Sequence, residues 1–441
     1  MSFAGQVFSA ELDFPRAGAA MRLFPQVLLA AFLATTAVAQ AQDAPALPVK
    51  AAAEGWRPAS EYSNWIDNLP FKVLFNQSLG YNDNLLLLPN GAIPPANAQR
   101  GDAYSTTTFG LFSRFSLGAN TFFANGTYGL SRYEHDTGLN SSNYALNAGM
   151  DWVFTSRCSG TVIGSDKQTQ APIEELTSFT VNNIRTASLN EAAKCRVSDN
   201  INLVLNSGVS RTNNSLDTLI INDFDQKFVL GGVEYVIADL NTIGVQATFR
   251  NTDYFNRSPA TTPGLATTLD QRSYELYYRR ILSAKLEVDA TGGVTQSTAS
   301  SPVSSSTFTD PTYSVRVKWA ATPKLIFEAL IAQTVAPPQN IVADFERSRR
   351  ESLTVSYLFS PKVTFAWTVG LSTLRNPTVS GINQSSVLVN QKVVFSDLKA
   401  IYQITPLINA TGEYRYTDRT DDTTGLRATS NLFLLGLTYQ R

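Results

Sequence analysis

Short turns punctuate this chain at intervals of about 40 residues, each lodged between two stretches of alternating apolar and polar residues. They are Ser-, Asp-, Asn-, Pro- or Lys-rich tetrapeptides centred near Gly118, Arg157, Asp199, Asp239, Ala284, Thr322, Pro361 and Thr405. A tight turn at one end of every strand pair and a longer, polar, variable connection at the other is the pattern of bacterial outer-membrane barrels. The expected fold is all-β: a transmembrane, antiparallel, up-and-down β-barrel with short periplasmic turns and longer external loops.

The strands can be checked one parity at a time. Ile243, Val245, Ala247 and Phe249 alternate with Gly244, Gln246, Thr248 and Arg250, and Leu286, Val288, Ala290 and Val294 alternate with Glu287, Asp289, Thr291 and Gly293. Tyr313, Val315, Val317 and Trp319 oppose Ser314, Arg316 and Lys318, and Val363 to Leu371 and Ile408 to Tyr416 repeat the split. One face suits lipid and the other suits water. A soluble sandwich also alternates, but it packs its apolar face on a second sheet and less often carries such polar faces through strand after strand. Eight turns join sixteen strands, and Phe71 to Tyr81 and Leu426 to Tyr439 bring the count to about eighteen, with sixteen as the alternative. Alternation is poorest in Ser159 to Gln168 and Arg185 to Arg196.

The N-terminus supplies an export route. Met21-Arg22 precedes an apolar run from Leu23 to Val38, which ends in the small-x-small sequence Ala37-Val38-Ala39-Gln40-Ala41, as a cleaved signal peptide does. Residues 1–20 read as an extension from an upstream start codon, so 1–41 form extension plus signal peptide. Residues 42–70, rich in Ala and Pro and carrying Trp56 and Trp65, are a periplasmic segment, a tether or a plug. Residues 71–441 are the barrel. The route through the periplasm leads to the cell outer membrane, where lipid and lipopolysaccharide are the first partners.

Beyond that signal, no run approaches the ~18 apolar residues of a membrane helix, and the mean hydropathy is -0.09. Yet the chain has 17 Tyr and 25 Phe. Period-two burial hides lipid-facing residues from bulk hydropathy. A net charge of -1 offers no basic patch for nucleic acid.

The two cysteines, Cys158 and Cys195, fall just after one short turn and just before the next, so an antiparallel pair brings both to the periplasmic rim. That compartment is oxidising, which makes them a cross-strand disulfide candidate. Two free thiols are the alternative, because sequence does not fix the register.

Charges of both signs fall on or near the polar parity: Lys72, Arg114, Asp151, Arg250, Glu275, Arg279, Glu287, Asp289, Arg316, Lys318, Asp397, Lys399, Glu413 and Arg415. Glu287 and Asp289 lie between strands bearing Arg279 and Arg316/Lys318, so cross-strand pairs are expected. Arg114, Arg250, Glu275, Arg279, Glu287, Asp289, Arg316, Lys318, Glu413 and Arg415 are the pore-lining candidates. Two readings stay open: a hydrated pore wall, or pairs that satisfy one another and fill the interior. An eighteen-stranded barrel is wide enough for an aqueous channel unless something occupies it.

Catalytic constellations are scarce. The single histidine, His135, sits where a strand runs out into an external loop. A hydrolase would have to be built around it, and a solvated loop histidine is the plainer reading. Asp418, Asp421 and Asp422 in the predicted loop Thr417 to Gly425 either bridge lipopolysaccharide through a divalent cation or simply solubilise the loop. No enzyme, metal or cofactor is expected.

Leu79-Gly80-Tyr81-Asn82-Asp83-Asn84-Leu85, an aromatic-x-Asp-Asn-Leu step leaving the first strand, resembles the β-barrel porins encoded in bacterial exopolysaccharide operons. The resemblance runs from about Phe71 to Arg441 through strand repeat and chain length. It implies an outer-membrane barrel associated with polysaccharide synthesis or export, with polysaccharide and export-machinery subunits as partners. Many such barrels end in an aromatic residue, whereas this chain ends Tyr439-Gln440-Arg441, displacing the aromatic by two positions. The functional expectation is a porin-like channel for exopolysaccharide export or hydrophilic solutes, without covalent chemistry. The alternative is a closed structural barrel whose loops, notably Asn84 to Asp102, Tyr254 to Thr268 and Ser300 to Asp310, contact surface polysaccharide.

Overall fold

The computed structural model describes residues 71–94, 98–171, 181–237, 241–258, 262, 265–283, 285–302, 304–337, 345–375, 390–422 and 425–441. The expected extension and signal peptide (1–41), the expected N-terminal segment 42–70 and the central residues of the turns near Asp239 and Ala284 lie outside them.

Eighteen strands follow one another in chain order. They are β1 (Phe71–Asn82), β2 (Asp102–Leu117), β3 (Asn120–Tyr133), β4 (Ser141–Thr155), β5 (Cys158–Gln170) and β6 (Asn183–Arg196). Next come β7 (Ile201–Asn214), β8 (Phe224–Ile237), β9 (Asn241–Asp253), β10 (Thr268–Ser283), β11 (Leu286–Ser301) and β12 (Ser304–Thr322). The last are β13 (Leu325–Ala336), β14 (Glu346–Ser360), β15 (Val363–Arg375), β16 (Asn390–Thr405), β17 (Ile408–Asp421) and β18 (Arg427–Gln440). Each pairs antiparallel with its chain neighbours, and β1 pairs with β18, so one sheet closes on itself. Closure matters because an open edge in hydrocarbon would leave a row of backbone groups unpaired, each costing several kcal/mol. The seam runs to the last residue, where Arg441 N donates to Val73 O at 3.0 Å and Val73 N to Arg441 O at 2.8 Å.

The short turns share one chemistry. In four of them a hydroxyl accepts the backbone N–H two residues on: Thr155 from Arg157 at 3.2 Å, Thr322 from Lys324 at 3.2 Å, Ser360 from Lys362 at 3.3 Å and Thr405 from Leu407 at 3.2 Å. Pro323, Pro361 and Pro406 preset the intervening φ. Each of these four turns also carries a register shift, which closes the hairpin with one extra residue. The turn between β2 and β3 is tighter, and Gly118 at its head takes a left-handed φ of 62°.

The wall has two faces. Leu79, Phe109, Leu146, Leu205, Val245, Leu276, Trp367, Leu398 and Leu435 are exposed on the outside, the apolar band of a membrane-spanning barrel. The alternate residues line the lumen. Strands run 12 to 19 residues, beyond the ~9–11 needed to cross a bilayer, so several project past it at the loop end. This corrects two expected loops. Most of Ser300 to Asp310 is a projecting β11–β12 hairpin, and Thr417 to Asp421 belong to β17. Outside the hydrocarbon both faces meet water, so these extensions need no apolar parity.

Candidate functional site

The lumen is the site that the fold builds. Its wall carries cations and anions interleaved across neighbouring strands. On β2 and β4, Arg114 Nη2 donates to Asp151 Oδ2 at 2.9 Å, and its guanidinium lies 5.6 Å from the Phe123 ring centroid. Across β10 to β13 a chain of charges forms around Asp289: Arg279 Nε meets its Oδ1 at 2.5 Å, and Arg316 reaches its Oδ2 at 3.5 Å and Glu328 at 3.9 Å. Glu287 and Lys318 stand directly opposite in the β11–β12 register. Lys194 and Glu234 form a further pair on β6 and β8.

Glu275 instead accepts from Gln246 Nε2 at 2.7 Å and Thr312 Oγ1 at 3.5 Å. Arg250, between Phe228 and Gln271 in register, has a buried Nε with no hydrogen-bond partner among the described residues. On β16 and β17, Arg415 bridges Asp397 at 2.7 Å and Glu413 at 3.1 Å, while Lys399 lies 3.7 Å from Glu413.

Exposure separates the two regions. The side chains of Arg114, Arg279 and Arg316 are 58%, 52% and 41% accessible, whereas Asp397 and Glu413 are 17% and 12%. The first set presents charge to the lumen, and the second is folded into the wall. The two regions therefore differ in how far their paired charges reach from the wall.

The loop end is built more tightly than a plain rim. Phe224, Tyr254, Ala266, Leu269, Ala299, Val335 and Phe345 pack into an apolar cluster, with Phe308 against it. The Phe308 and Phe345 rings stack at 3.6 Å. Phe224, Leu269, Ala299 and Phe308 share the parity of Gln226, Gln271, Ser297 and Asp310, so this layer faces inward over the mouth on the β8–β14 side. Arg257 ties the flanking connections together. Its Nε donates to Ile221 O at 2.9 Å, Nη1 to Ala266 O at 2.9 Å and Nη2 to Asn222 Oδ1 at 3.0 Å, with the guanidinium 3.7 Å from the Tyr254 ring centroid. Sequence reasoning missed this layer. Its signal was present as large apolar residues on the polar parity, as Leu269 before Gln271 and Phe308 before Asp310.

The remaining candidates separate. His135 is solvent-exposed in the β3–β4 connection, as the plainer reading has it, but it is also held: its Nδ1 lies 3.0 Å from Asp102 Oδ1, and Asp102 accepts the backbone N–H groups of His135 and Asp136. Hydrogen bonding to Asp102 raises the imidazole above its ordinary 6.5, with burial opposing and the charges of Glu134, Asp102 and Asp136 adding to the rise. Asp102, Glu134 and His135 could converge on a metal ion, but the Asp102 carboxylate is already occupied in holding the β3–β4 connection. Asp418 forms a bidentate pair with Arg427, so it is not a partner for Asp421 and Asp422 in one cation site. Cys158 and Cys195 are directly opposite in the β5–β6 register, Cα to Cα 4.2 Å, and are joined as a disulfide at the turn end.

No family model matches the chain, and no curated protein does. Among solved structures it is similar to OccK2 (OpdF) of Pseudomonas aeruginosa in complex with glucuronate, at 11% identity over 84% of this chain and 97% of that one, TM-score 0.46. It is similar to OprD of the same organism at 11% identity, 85% and 95% coverage and TM-score 0.44. It is also similar to the siderophore receptor PirA of Pseudomonas aeruginosa, at 10% identity, 84% and 80% coverage and TM-score 0.42.

Proposed function

We propose that this protein is a non-enzymatic outer-membrane channel for hydrophilic solutes, associated with exopolysaccharide export. The observation that carries the channel reading is the accessible ladder of Arg279, Asp289, Arg316 and Glu328 on the inner wall. Alternating charge lets a wall hydrogen-bond hydroxyl-rich solutes while giving no strong preference for either ion sign. The exopolysaccharide association rests on the resemblance carried by Tyr81 to Leu85. Single-channel conductance of the purified full chain in planar bilayers, with and without added oligosaccharide, tests both parts. Steady conductance that oligosaccharide blocks supports a carbohydrate-accepting pore; conductance indifferent to sugar supports only a solute channel.

A second reading, a closed structural barrel contacting surface polymer, is favoured by the apolar layer around Tyr254 and Leu269 at the mouth. A folded barrel that never conducts, in a deletion strain that exports polymer but fails to retain it, would select that reading.

A further inference from the structure

The outside of the barrel also carries charge, and on one sector it is unbalanced. At the loop ends of β14 and β15, Arg347 and Arg375 stand directly opposite each other, Arg349 faces Thr373 and Glu351 faces Leu371. Thr373 in turn faces Lys392 on β16. Arg349, Glu351, Arg375 and Lys392 share the parity of Leu353, Tyr357 and Trp367, which are exposed on the lipid face, so they lie on the outer wall, whereas Arg347 at the strand end reaches Asp310 on the inner parity of β12. A cavity of about 310 Å³ opens there, lined by Gln333, the three arginines, Glu351, Leu371 and Thr373.

The charge balance within this sector is incomplete. Arg347 pairs with Asp310, and Arg349 with Glu351. Among the described residues, neither Arg375 nor Lys392 has an ion-pair partner. Elsewhere on the outer wall several loop-end charges neutralise one another, Arg185 with Asp166, Arg211 with Asp225 and Arg427 with Asp418, and Arg132 and Arg272 on the same face stand opposite no other cation in register.

Depth gives the ligand class. A tilted strand crosses the hydrocarbon in ~9–11 residues, a length that Val363 to Leu371 fills from the turn end. Thr373 and Arg375 then sit at the headgroup level of the leaflet on the loop side. Immediately below, Leu371, Val369 and Trp367 run down β15 beside Leu353 on β14 and offer an apolar track. Planar guanidinium groups bind phosphate oxygens in pairs and at fixed geometry. We propose that this sector binds the phosphate-bearing headgroup of an outer-leaflet lipid, with the acyl chains lying along that track.

The test is native mass spectrometry of the delipidated full-length barrel in detergent, titrated with bis-phosphorylated lipid A and with the same lipid stripped of phosphate. The phosphorylated form is expected to bind at least about tenfold more tightly, and the triple variant Arg349→Gln, Arg375→Gln, Lys392→Gln to lose that margin. Arg185→Gln, which alters a self-neutralised pair, is expected to keep it. Equal binding of the two lipids, or an unchanged triple variant, would overturn the proposal. Micromolar binding of inorganic phosphate without lipid would assign the site to a free anion and overturn the lipid assignment. Folding is checked by heat-modifiable gel migration, and Arg375→Gln alone serves if the triple variant does not fold.

Discussion

Asp83 at the end of the first strand grips Asn431 on the last. Its carboxylate accepts Asn431 N and Nδ2, both at 2.7 Å, and its own N–H donates to Asn431 O at 3.1 Å. The neighbours act alike: Ser430 Oγ donates to Asn82 Oδ1 at 2.7 Å, and Asn84 Nδ2 to Thr429 O at 2.7 Å. The Asn82-Asp83-Asn84 step therefore fastens the loop end of the one seam that joins residues far apart in sequence. A short side chain with two acceptors suits this place, because it can reach the backbone of the adjacent strand and its side-chain amide together.

Asp83→Ala is expected to cost about 2–4 kcal/mol, since it removes two hydrogen bonds to a charged acceptor. Urea unfolding of the refolded barrel in lipid vesicles measures the loss. Asn431→Ala should overlap with it, so the double variant should cost little more than Asp83→Ala alone. Fully additive losses would mean that the two residues act independently and do not form one lock.

The bond between Cys158 and Cys195 closes a loop of sequence separation 37. On the chain-entropy view, such a closure is worth up to about 4 kcal/mol against the unfolded state. Reduction, or Cys158→Ser with Cys195→Ser, should lower the unfolding midpoint while leaving the native barrel's conductance unchanged. Thiol titration of the unreduced, denatured protein should find no free groups. Two reactive thiols would show that the pair is not oxidised in the purified protein.

Much of this architecture is legible in the sequence because two environments impose a period of two. Ile243 to Arg250 and Val363 to Leu371 read correctly since lipid and lumen select opposite chemistry at every step. The turns read correctly because Thr322-Pro323 and Ser360-Pro361 carry a hydroxyl and a fixed φ where a reversal needs them. β5 and β6 read poorly for a physical reason: Asp166, Arg185 and Glu191 lie on the same parity as Leu189, which is exposed on the outside. The mouth layer and the outer cationic sector were harder to see. Both depend on which strands extend past the membrane and how connections fold back, and neither leaves a periodic trace. Phe308 and Phe345 are 37 residues apart by number and touch only because a hairpin and a connection converge.

The His135 imidazole, raised by its hydrogen bond to Asp102, makes the β3–β4 connection sensitive to pH. A raised folded value means that the contribution is complete below the ordinary 6.5 and fades as pH rises through the folded value. Because His135 is the chain's single histidine, its ring protons give one uncrowded NMR titration. A midpoint above 6.5 is expected, with a fall toward 6.5 in Asp102→Asn. Amide exchange at His135 and Asp136 should quicken from pH 6 to pH 8 by more than the intrinsic base catalysis of exchange. A midpoint unaffected by Asp102→Asn would show that the contact does not persist in solution.

Selectivity tests whether the inner charges face a conducting path. Asp289 is shared by Arg279 and Arg316, and Arg316 also lies 3.9 Å from Glu328. Replacing Arg316 and Lys318 by Ala removes two cations and leaves Glu287 and Glu328 without the basic neighbours they face, and Asp289 with only Arg279. Local potential along this wall turns negative, and a pore lined with excess carboxylate favours cations. Reversal potentials in a salt gradient should therefore shift in the cation-selective direction, most at low ionic strength, where the Debye length exceeds ~10 Å. Arg415→Ala should shift them less, because Asp397 and Glu413 are folded into the wall. Equal shifts from both sites would mean that β16 and β17 line the path as openly as β10 to β13. No shift from Arg316→Ala with Lys318→Ala would mean that ions do not pass this wall.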